Sequence, residues 1–528
     1  MVFQFTLPSS LKSIIDNNNN NDNDNDNDDI ILFGESNFTD DLLNKYEEIF
    51  NELSQKSEYW DIVDFYNHKI IKDIQLGCQD IPPPNVIILK PGDNPNCDST
   101  VHNSCDMYFD DLKISNTDHL DIACNKAIFR RLISYHENKS NVRLFLGQWH
   151  TSKDMCSALI IIFSGYEIFN LAANLGVQYL DKLERVVDYS ATFRVLELIW
   201  IAVGIAITQY LNSKNMIMKD IKYGNNNNNN NNNKIIKVWY CYFYWAGYLL
   251  GHKIGIRKGN FDMQFKNLAA FSPLFPVAGK SNYARSVTHF ISYISEDLDL
   301  QKLLQYICSV NLTQPGHFLG FDEALERFGV KFVKQNIGGN YIDPEELKLQ
   351  ISSTQSERDR LTMLLSEYVG DNILVRGERA VKSRKESLWK LANDLIIAFN
   401  LENPLEHELF RNTKEMNEEG FQRLFDCYSI GIERLNIILH QDVYKTELRN
   451  VKGRQACNII AYKLQDLITK SKEKEKIKTK DNDNSNRENL TEKHNYRKTS
   501  ENEKRIFEKI LSFRVFSEDI ANNILQKL

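Results

Sequence analysis

The sequence predicts a mainly α-helical protein with a small α/β segment in its N-terminal third, mixed α+β overall. Three observations predict this class. Apolar residues recur at helical spacing through most of 151–470. Short apolar runs bounded by turn residues, typical of buried strands, occur between 86 and 146. Hydrophobic residues make up 42% of the 528 residues and aromatic residues 11%, which is enough for a sizeable core.

Low-complexity segments mark the boundaries of five regions. Residues 1–29 end in an Asn/Asp tract and are expected to be disordered, because such residues cannot bury apolar surface. N-terminal helices and the α/β segment occupy 30–150, and the helical body occupies 151–470, interrupted by an asparagine run at 225–233. A charged linker at 471–504 is also expected to be disordered, and a C-terminal helix follows at 505–528.

The N-terminal elements follow from spacing and proline. Apolar residues predict helices from about 40 to 56 and from 59 to 76, and Pro82–Pro84 prevents further helix. The run Val86–Leu89 is β-branched and predicts a buried strand, and residues 93–98 are typical of a turn.

The next elements form a compact unit. A strand is predicted at His119–Cys124, a helix at Lys126–His136 and a strand at Val142–Leu146, ended by Gly147. Two strands joined by one helix imply parallel pairing.

The helical body contains one segment that resembles a membrane span. Val195–Leu211 is almost wholly apolar, but it contains Glu197 and Gln209 and falls short of the roughly 20 residues that a span needs. A buried helix is favoured over a membrane anchor. Further helices are predicted from residue 152 to 440, including one opened by Asp343-Pro344.

Charge and cysteine content exclude several classes. The net charge is −7, so no basic footprint for nucleic acid covers the whole chain. The nine cysteines form no CxxC pair, which predicts reduced thiols in an intracellular protein and no confident metal site. Nucleus and cytoplasm both remain open. No nucleotide-binding, nucleophile-elbow or HExxH motif occurs, so a small-molecule cofactor has no support.

The strand–helix–strand unit leads into Gly147-Gln148-Trp149-His150-Thr151-Ser152-Lys153. This order resembles Mutator-like transposases, in which a catalytic aspartate precedes the helix and a Cys-x-x-His motif follows the next strand. The resemblance covers about 86–461, and it implies a ribonuclease-H-like core in which carboxylates hold Mg²⁺ or Mn²⁺ for DNA strand transfer.

The resemblance also assigns candidate catalytic residues. The nearest acid to the expected position is Asp121, the first carboxylate would be Asp93, and the final one Glu296 or Glu323. Asn125 stands where the family has its aspartate, and Gly147 where it has cysteine. An amide lacks the negative charge that holds Mg²⁺, so a strand-transfer core that is inactive is predicted.

Other residues suggest binding or structure. Trp149 and His150 are expected to stabilise the strand–helix junction, with the imidazole bonded to backbone. Candidate DNA-binding residues are Arg257, Lys258, Arg376, Arg379, Arg384 and Lys385, with further basic residues at Arg130, Arg131, Lys253, Lys266, Lys280 and Arg285. The alternatives are a non-catalytic helical scaffold for protein partners and, third, a protein anchored in a membrane through 195–211.

Overall fold

A computed structural model describes residues 2–6, 32–54, 84–87, 97–115, 118–139, 141–218, 221, 233–312, 318–326, 378–411, 413 and 415–445. The chain divides into two compact units, 1–436 and 437–528. In the second unit, the described residues contain a π-helical turn at Leu439–Val443. The helices expected at 59–76 and after Asp343, the charged linker 471–504 and the helix 505–528 lie outside the described residues.

Helices dominate the described part of the chain, which confirms the predicted mainly helical class. In chain order they are α1 (Asn37–Ser54), α2 (Asp98–Leu112), α3 (Lys126–Asn138), α4 (Gln148–Phe163), α5 (Ile168–Asn174), α6 (Leu180–Glu184), α7 (Tyr189–Lys214), α8 (Lys234–Lys258), α9 (Phe261–Phe271), α10 (Leu274–Val277), α11 (Ser281–Glu296), α12 (Leu298–Ile307), α13 (Phe321–Leu325), α14 (Glu378–Asn400) and α15 (Glu418–Ile438).

The described strands form three two-stranded sheets. They are β1 (Val2–Gln4), β2 (Asn85–Ile87), β3 (Leu120–Cys124), β4 (Val142–Leu146), β5 (Val310–Asn311) and β6 (Phe318–Leu319). The pair β3–β4 is parallel and α3 connects its strands, which confirms the predicted strand–helix–strand unit. The pairs β1–β2 and β5–β6 are antiparallel. Residues 2–4 therefore form a strand, although the sequence predicts disorder for 1–29.

The core is built around α7 and α8, whose side chains are buried on nearly all sides. A helix that is apolar all round is stable in water only when other elements surround it. Trp200 of α7 stacks on Phe243 of α8 at a centroid distance of 5.2 Å and meets Phe50 of α1 edge-on. The indole of Trp200 also donates a hydrogen bond to the Phe243 carbonyl oxygen at 2.8 Å.

The helix α7 has the length and apolarity to cross a membrane. Among the described residues, α7 is the one single helix that meets both criteria. If the bent helix pair 148–166 and 168–174 is counted as one span, there are up to two candidates. Within the protein, 78% of its most apolar window is buried. This burial agrees with the predicted core helix.

Two helical segments also differ from what the sequence predicts. The sequence predicts no helix for 98–112, whereas α2 occupies it; only Val101 and Cys105 of this helix are buried, so its apolar stripe is too thin to recognise. The apolar pattern of the body continues from 179 to 211, but the helix is broken between α6 and α7, where Val186 has a φ of 49° and Asp188 caps α7. Left-handed backbone at a β-branched residue cannot continue a helix.

Candidate functional site

Asp121, the best-placed catalytic candidate, is bound by an arginine from the neighbouring strand. Asp121 on β3 lies directly opposite Arg143 on β4. The Arg143 guanidinium donates through Nε to Oδ1 at 2.6 Å and through Nη2 to Oδ2 at 2.9 Å. Such a two-pronged pair occupies both carboxylate oxygens and neutralises the charge that would attract a metal ion.

Asn125 has a structural task at the end of β3. Its side-chain oxygen accepts hydrogen bonds from the backbone N–H groups of Ala127 and Ile128, at 3.0 and 3.1 Å. This is the N-cap geometry that satisfies free N–H groups in the first turn of a helix. The amide that replaces the expected aspartate therefore begins α3.

The other acidic candidates are dispersed. Glu296 is the exposed last residue of α11, and its Oε1 accepts a hydrogen bond from Ser292. Glu323 is buried and pairs with Arg257 at 2.7 Å. Asp93 lies outside the described residues. Within the part of the chain that the structure describes, no three His, Cys, Asp or Glu side chains are grouped to hold a metal ion.

The motif Gly147–His150 forms the start of α4, and a carboxylate from the distant helix α13 caps it. Asp322 accepts hydrogen bonds from the backbone N–H groups of Trp149 and His150, both at 2.9 Å. The same carboxylate accepts from His150 Nδ1 at 2.9 Å. The imidazole thus binds a carboxylate, where the sequence predicts backbone. The Trp149 indole packs edge-on against Tyr189, at a centroid distance of 5.8 Å.

Glycine is required at 147 because of this cap. A Cβ on Gly147 would lie 2.5 Å from Asp322 Oδ2, which is closer than real Cβ contacts. Its φ of −58° is open to any residue. A side chain at 147 is therefore excluded by the close approach of Asp322. Backbone strain plays no part.

The predicted DNA-binding residues have varied surroundings. Arg257 donates to the Phe318 carbonyl oxygen at 3.1 Å as well as to Glu323, so its guanidinium holds β6 and α13 against α8. Lys258 is the half-buried last residue of α8, and Lys385 is half-buried on α14. Arg379 and Arg384 belong to α14, but their side chains are outside the described part, as is the whole of Arg376.

A different set of basic residues comes together at the ends of α3 and α11. These helices lie side by side and run in the same direction, since Arg130 contacts Asn282 near both starts and His136 contacts Tyr293 further along both. Lys126 is the first residue of α3, and Lys280 immediately precedes α11. We call Lys126, Arg130 and Lys280 the basic cluster.

One carboxylate in the described residues pairs with this cluster. Asp154 of α4 lies 3.1 Å from Lys280 Nζ and 3.9 Å from Lys126 Nζ. Arg130 is exposed, and its guanidinium donates to the neutral side chain of Asn282 at 2.9 Å. Two lysines thus share one acid and the third cation of the cluster has a neutral partner, which leaves a local excess of positive charge. Neighbouring Arg131 pairs with Asp98 at 3.5 Å.

A cavity of about 240 Å³ lies along β3, and Asp121 and Asp322 are the acids among its described lining residues. The rest of the lining is mostly apolar and includes Phe3, Phe5 and Phe321. Both carboxylates already accept hydrogen bonds: Asp121 from Arg143, and Asp322 from the first turn of α4. The two acids therefore share a space without being free to share a metal ion.

Sequence reasoning found some of these residues and missed others. Arg130 and Lys280 appear among the predicted basic residues, but Lys126 does not. Asp322 is an acid in the first turn of its own helix α13, and its role at α4 depends on a contact across 172 residues. No local pattern signals such a contact.

Comparison with known proteins adds no assignment: no family model matches the chain, and no curated protein or solved structure does.

Proposed function

We propose that this protein binds DNA through the phosphate backbone, with the basic cluster as its contact, and that it descends from a transposase whose ribonuclease-H-like core no longer transfers strands. The observation that carries the proposal is that, in the described residues, Lys126 and Lys280 share one acid, Asp154, while nearby Arg130 bonds only to the neutral side chain of Asn282. Lysine and arginine supply most of the sequence-independent affinity of proteins for DNA.

The position of the cluster on its helices supports an anionic ligand. The N-terminus of a helix carries partial positive charge and favours acids, yet neither α3 nor α11 has an acid in its first turn. Instead, lysines stand at both starts. Basic side chains there destabilise the helices slightly, and a phosphate bound across them would relieve that repulsion while accepting hydrogen bonds.

The surroundings of the acids support binding without cleavage. Two-metal phosphoryl transfer needs carboxylates whose charge is available to the ions. The carboxylate of Asp121 is neutralised by Arg143, and that of Asp322 accepts hydrogen bonds from N–H donors. At the position where the family has its aspartate, this chain has Asn125, which caps α3. The motif that carries the resemblance to Mutator-like transposases thus supports the protein's architecture.

The test is DNA binding by the full chain, measured by fluorescence anisotropy with a labelled duplex. The triple variant Lys126→Ala/Arg130→Ala/Lys280→Ala removes the basic cluster, and we expect at least about a tenfold rise in Kd at low salt, since each lost phosphate contact weakens binding. The matched control is Lys182→Ala/Lys214→Ala/Lys302→Ala, which removes the same charge from α6, α7 and α12.

Three outcomes decide the proposal. Loss of affinity in the cluster variant with an unchanged control supports it. Equal loss in both variants would mean that net charge, and no particular surface, governs binding, and would overturn it. Failure of the native chain to bind DNA would also overturn it and would favour the alternative, a scaffold for protein partners.

A plasmid-nicking assay with Mg²⁺ or Mn²⁺ tests the second half of the proposal. We expect no cleavage by the native chain. Cleavage that Asp121→Asn abolishes would contradict the loss of strand transfer, because Asp121 would then hold a metal ion in spite of Arg143.

A further inference from the structure

A second, smaller cavity lies beneath the start of α4. Its volume is about 40 Å³, and its lining combines aromatic and aliphatic side chains with a few polar ones: Gln148, Thr151, His252, Gln264 and Cys308. A cavity needs roughly 10–15 Å³ on this measure to hold a water molecule, whereas a cavity that holds benzene measures about 150 Å³. The space therefore has room for water and is too small for a ring-sized ligand.

His252 of α8 is one of the residues that line this cavity. The residue is 2% exposed, and its Nδ1 lies 3.0 Å from the carbonyl oxygen of Gln264. A carbonyl can only accept, so Nδ1 carries the proton and donates. In a neutral imidazole the other nitrogen, Nε2, then presents a lone pair.

Nε2 has no hydrogen-bond donor within reach in the described part of the chain. A buried acceptor without a donor destabilises a protein, because it loses the hydrogen bond that it makes with water in the unfolded chain. Protonation cannot resolve this, since burial lowers the pKa of His252 to about 4 and leaves the ring neutral at pH 7. Nε2 therefore needs a hydrogen-bond donor that is neutral and small enough to fit the cavity.

The side-chain amides of Gln148 and Gln264 and the hydroxyl of Thr151, which also line the cavity, already act as donors. The Gln264 amide donates to the Gly255 carbonyl and to Ser309 Oγ, and the Thr151 hydroxyl donates to the Gly147 carbonyl at 2.7 Å. Thr151 Oγ1 retains an acceptor lone pair. A donor with two hydrogens could therefore bind Nε2 with one and this oxygen with the other.

We propose that this cavity is a binding site for one resident water molecule, which donates to His252 Nε2 and links α8 to the first turns of α4. Buried waters of this kind occupy polar cavities and satisfy two to four protein groups. The site is independent of the basic cluster and of DNA binding.

The direct test is a crystal structure of the full chain at a resolution that shows ordered water. The expected result is a density peak about 2.7–3.2 Å from Nε2. An empty cavity in a map that shows other buried waters would overturn the proposal, as would a protein donor placed against Nε2 by any other part of the chain.

A second measurement needs no variant and no crystal. In the NMR spectrum of the native chain with labelled histidine, we expect magnetisation transfer from water to the His252 ring protons, and its absence would contradict a resident water.

A crystal structure of the variant His252→Phe tests whether Nε2 holds the water. The variant removes the acceptor and should lose the density peak while other buried waters persist; a peak that remains would show that Nε2 does not hold the water.

Discussion

The helix pair α7–α8 and the junction where α4, α8 and α13 meet are both buried, but they are held by different forces. In the helix pair, aromatic rings such as Trp200 and Phe243 fill the space between helices. At the junction, Asp322 and Glu323 provide hydrogen bonds and an ion pair to elements far away in sequence. Apolar packing tolerates changes of similar volume, whereas a buried polar contact depends on each atom.

The largest effect is expected from Trp200→Ala in the helix pair. Trp200 is fully buried against Tyr46, Phe50 and Phe243. Truncation of such a residue destabilises a protein by about 4 kcal/mol, measurable by urea unfolding monitored by circular dichroism. Tyr179→Ala, at a 60% exposed position, is the control and should change stability by less than about 0.5 kcal/mol. Equal effects would contradict the packing described.

Asp322→Asn probes the junction with almost no change in volume. The new NH₂ group would face N–H donors of Trp149 or His150, so we expect a loss of about 3 kcal/mol in the free energy of unfolding. Trp200→Phe is the comparison from the helix pair, a change from one ring to a smaller one that keeps the aromatic packing. If Asp322→Asn left the free energy of unfolding unchanged, the cap on α4 would not contribute to stability.

The difference between the two regions also explains what could be predicted from sequence. Periodicity and composition predict the helices of the body, the buried character of 195–211 and the parallel unit around α3, because these depend on neighbours in the chain. The partner of Gly147–His150 lies beyond residue 320, and the pairing of Lys126 with Asp154 depends on how α3 and α4 pack. Such contacts leave no local signal, so the basic cluster could be found only in three dimensions.

Acid should weaken the junction through His252. Its pKa falls from 6.5 to about 4 on folding, chiefly because burial disfavours the charged ring. The unfolded chain therefore binds the proton more readily, and stability from this residue is full above pH 6.5 and declines as the pH falls towards 4, by about 3 kcal/mol in all.

The measurement is urea unfolding at pH 7, 6, 5 and 4 for the native chain and for His252→Phe. Other groups also titrate here, so the informative quantity is the difference in slope between the two proteins. An identical pH dependence would contradict the neutral, buried state of this histidine.

Gly147→Ala should destabilise the junction by about 2 kcal/mol, because the added methyl group meets the Asp322 carboxylate and forces it from the α4 cap. Thermal unfolding of the two proteins measures the change. The backbone conformation at 147 accepts any residue. Unchanged stability in Gly147→Ala would therefore mean that the Asp322 carboxylate does not lie against Gly147.

The smallest effect concerns reactivity and leaves stability unchanged. The side-chain hydroxyls of Ser99 and Thr100 lower the pKa of exposed Cys97 to about 7, whereas burial raises that of Cys105 to about 12. Because the thiolate is the reactive form, Cys97 should be alkylated about tenfold faster or more at pH 7 than the other described cysteines. Peptide mapping by mass spectrometry after brief iodoacetamide treatment checks this. Faster labelling of Cys105 would contradict it.

The most direct test of DNA binding through the basic cluster is the salt dependence of affinity. Each phosphate contact contributes about 0.9 to the slope of log K against log salt concentration on duplex DNA. Removal of Lys126, Arg130 and Lys280 should therefore make the slope shallower by about 2 to 3, while the control triple variant keeps the native slope. An unchanged slope in the cluster variant would contradict the proposed contact.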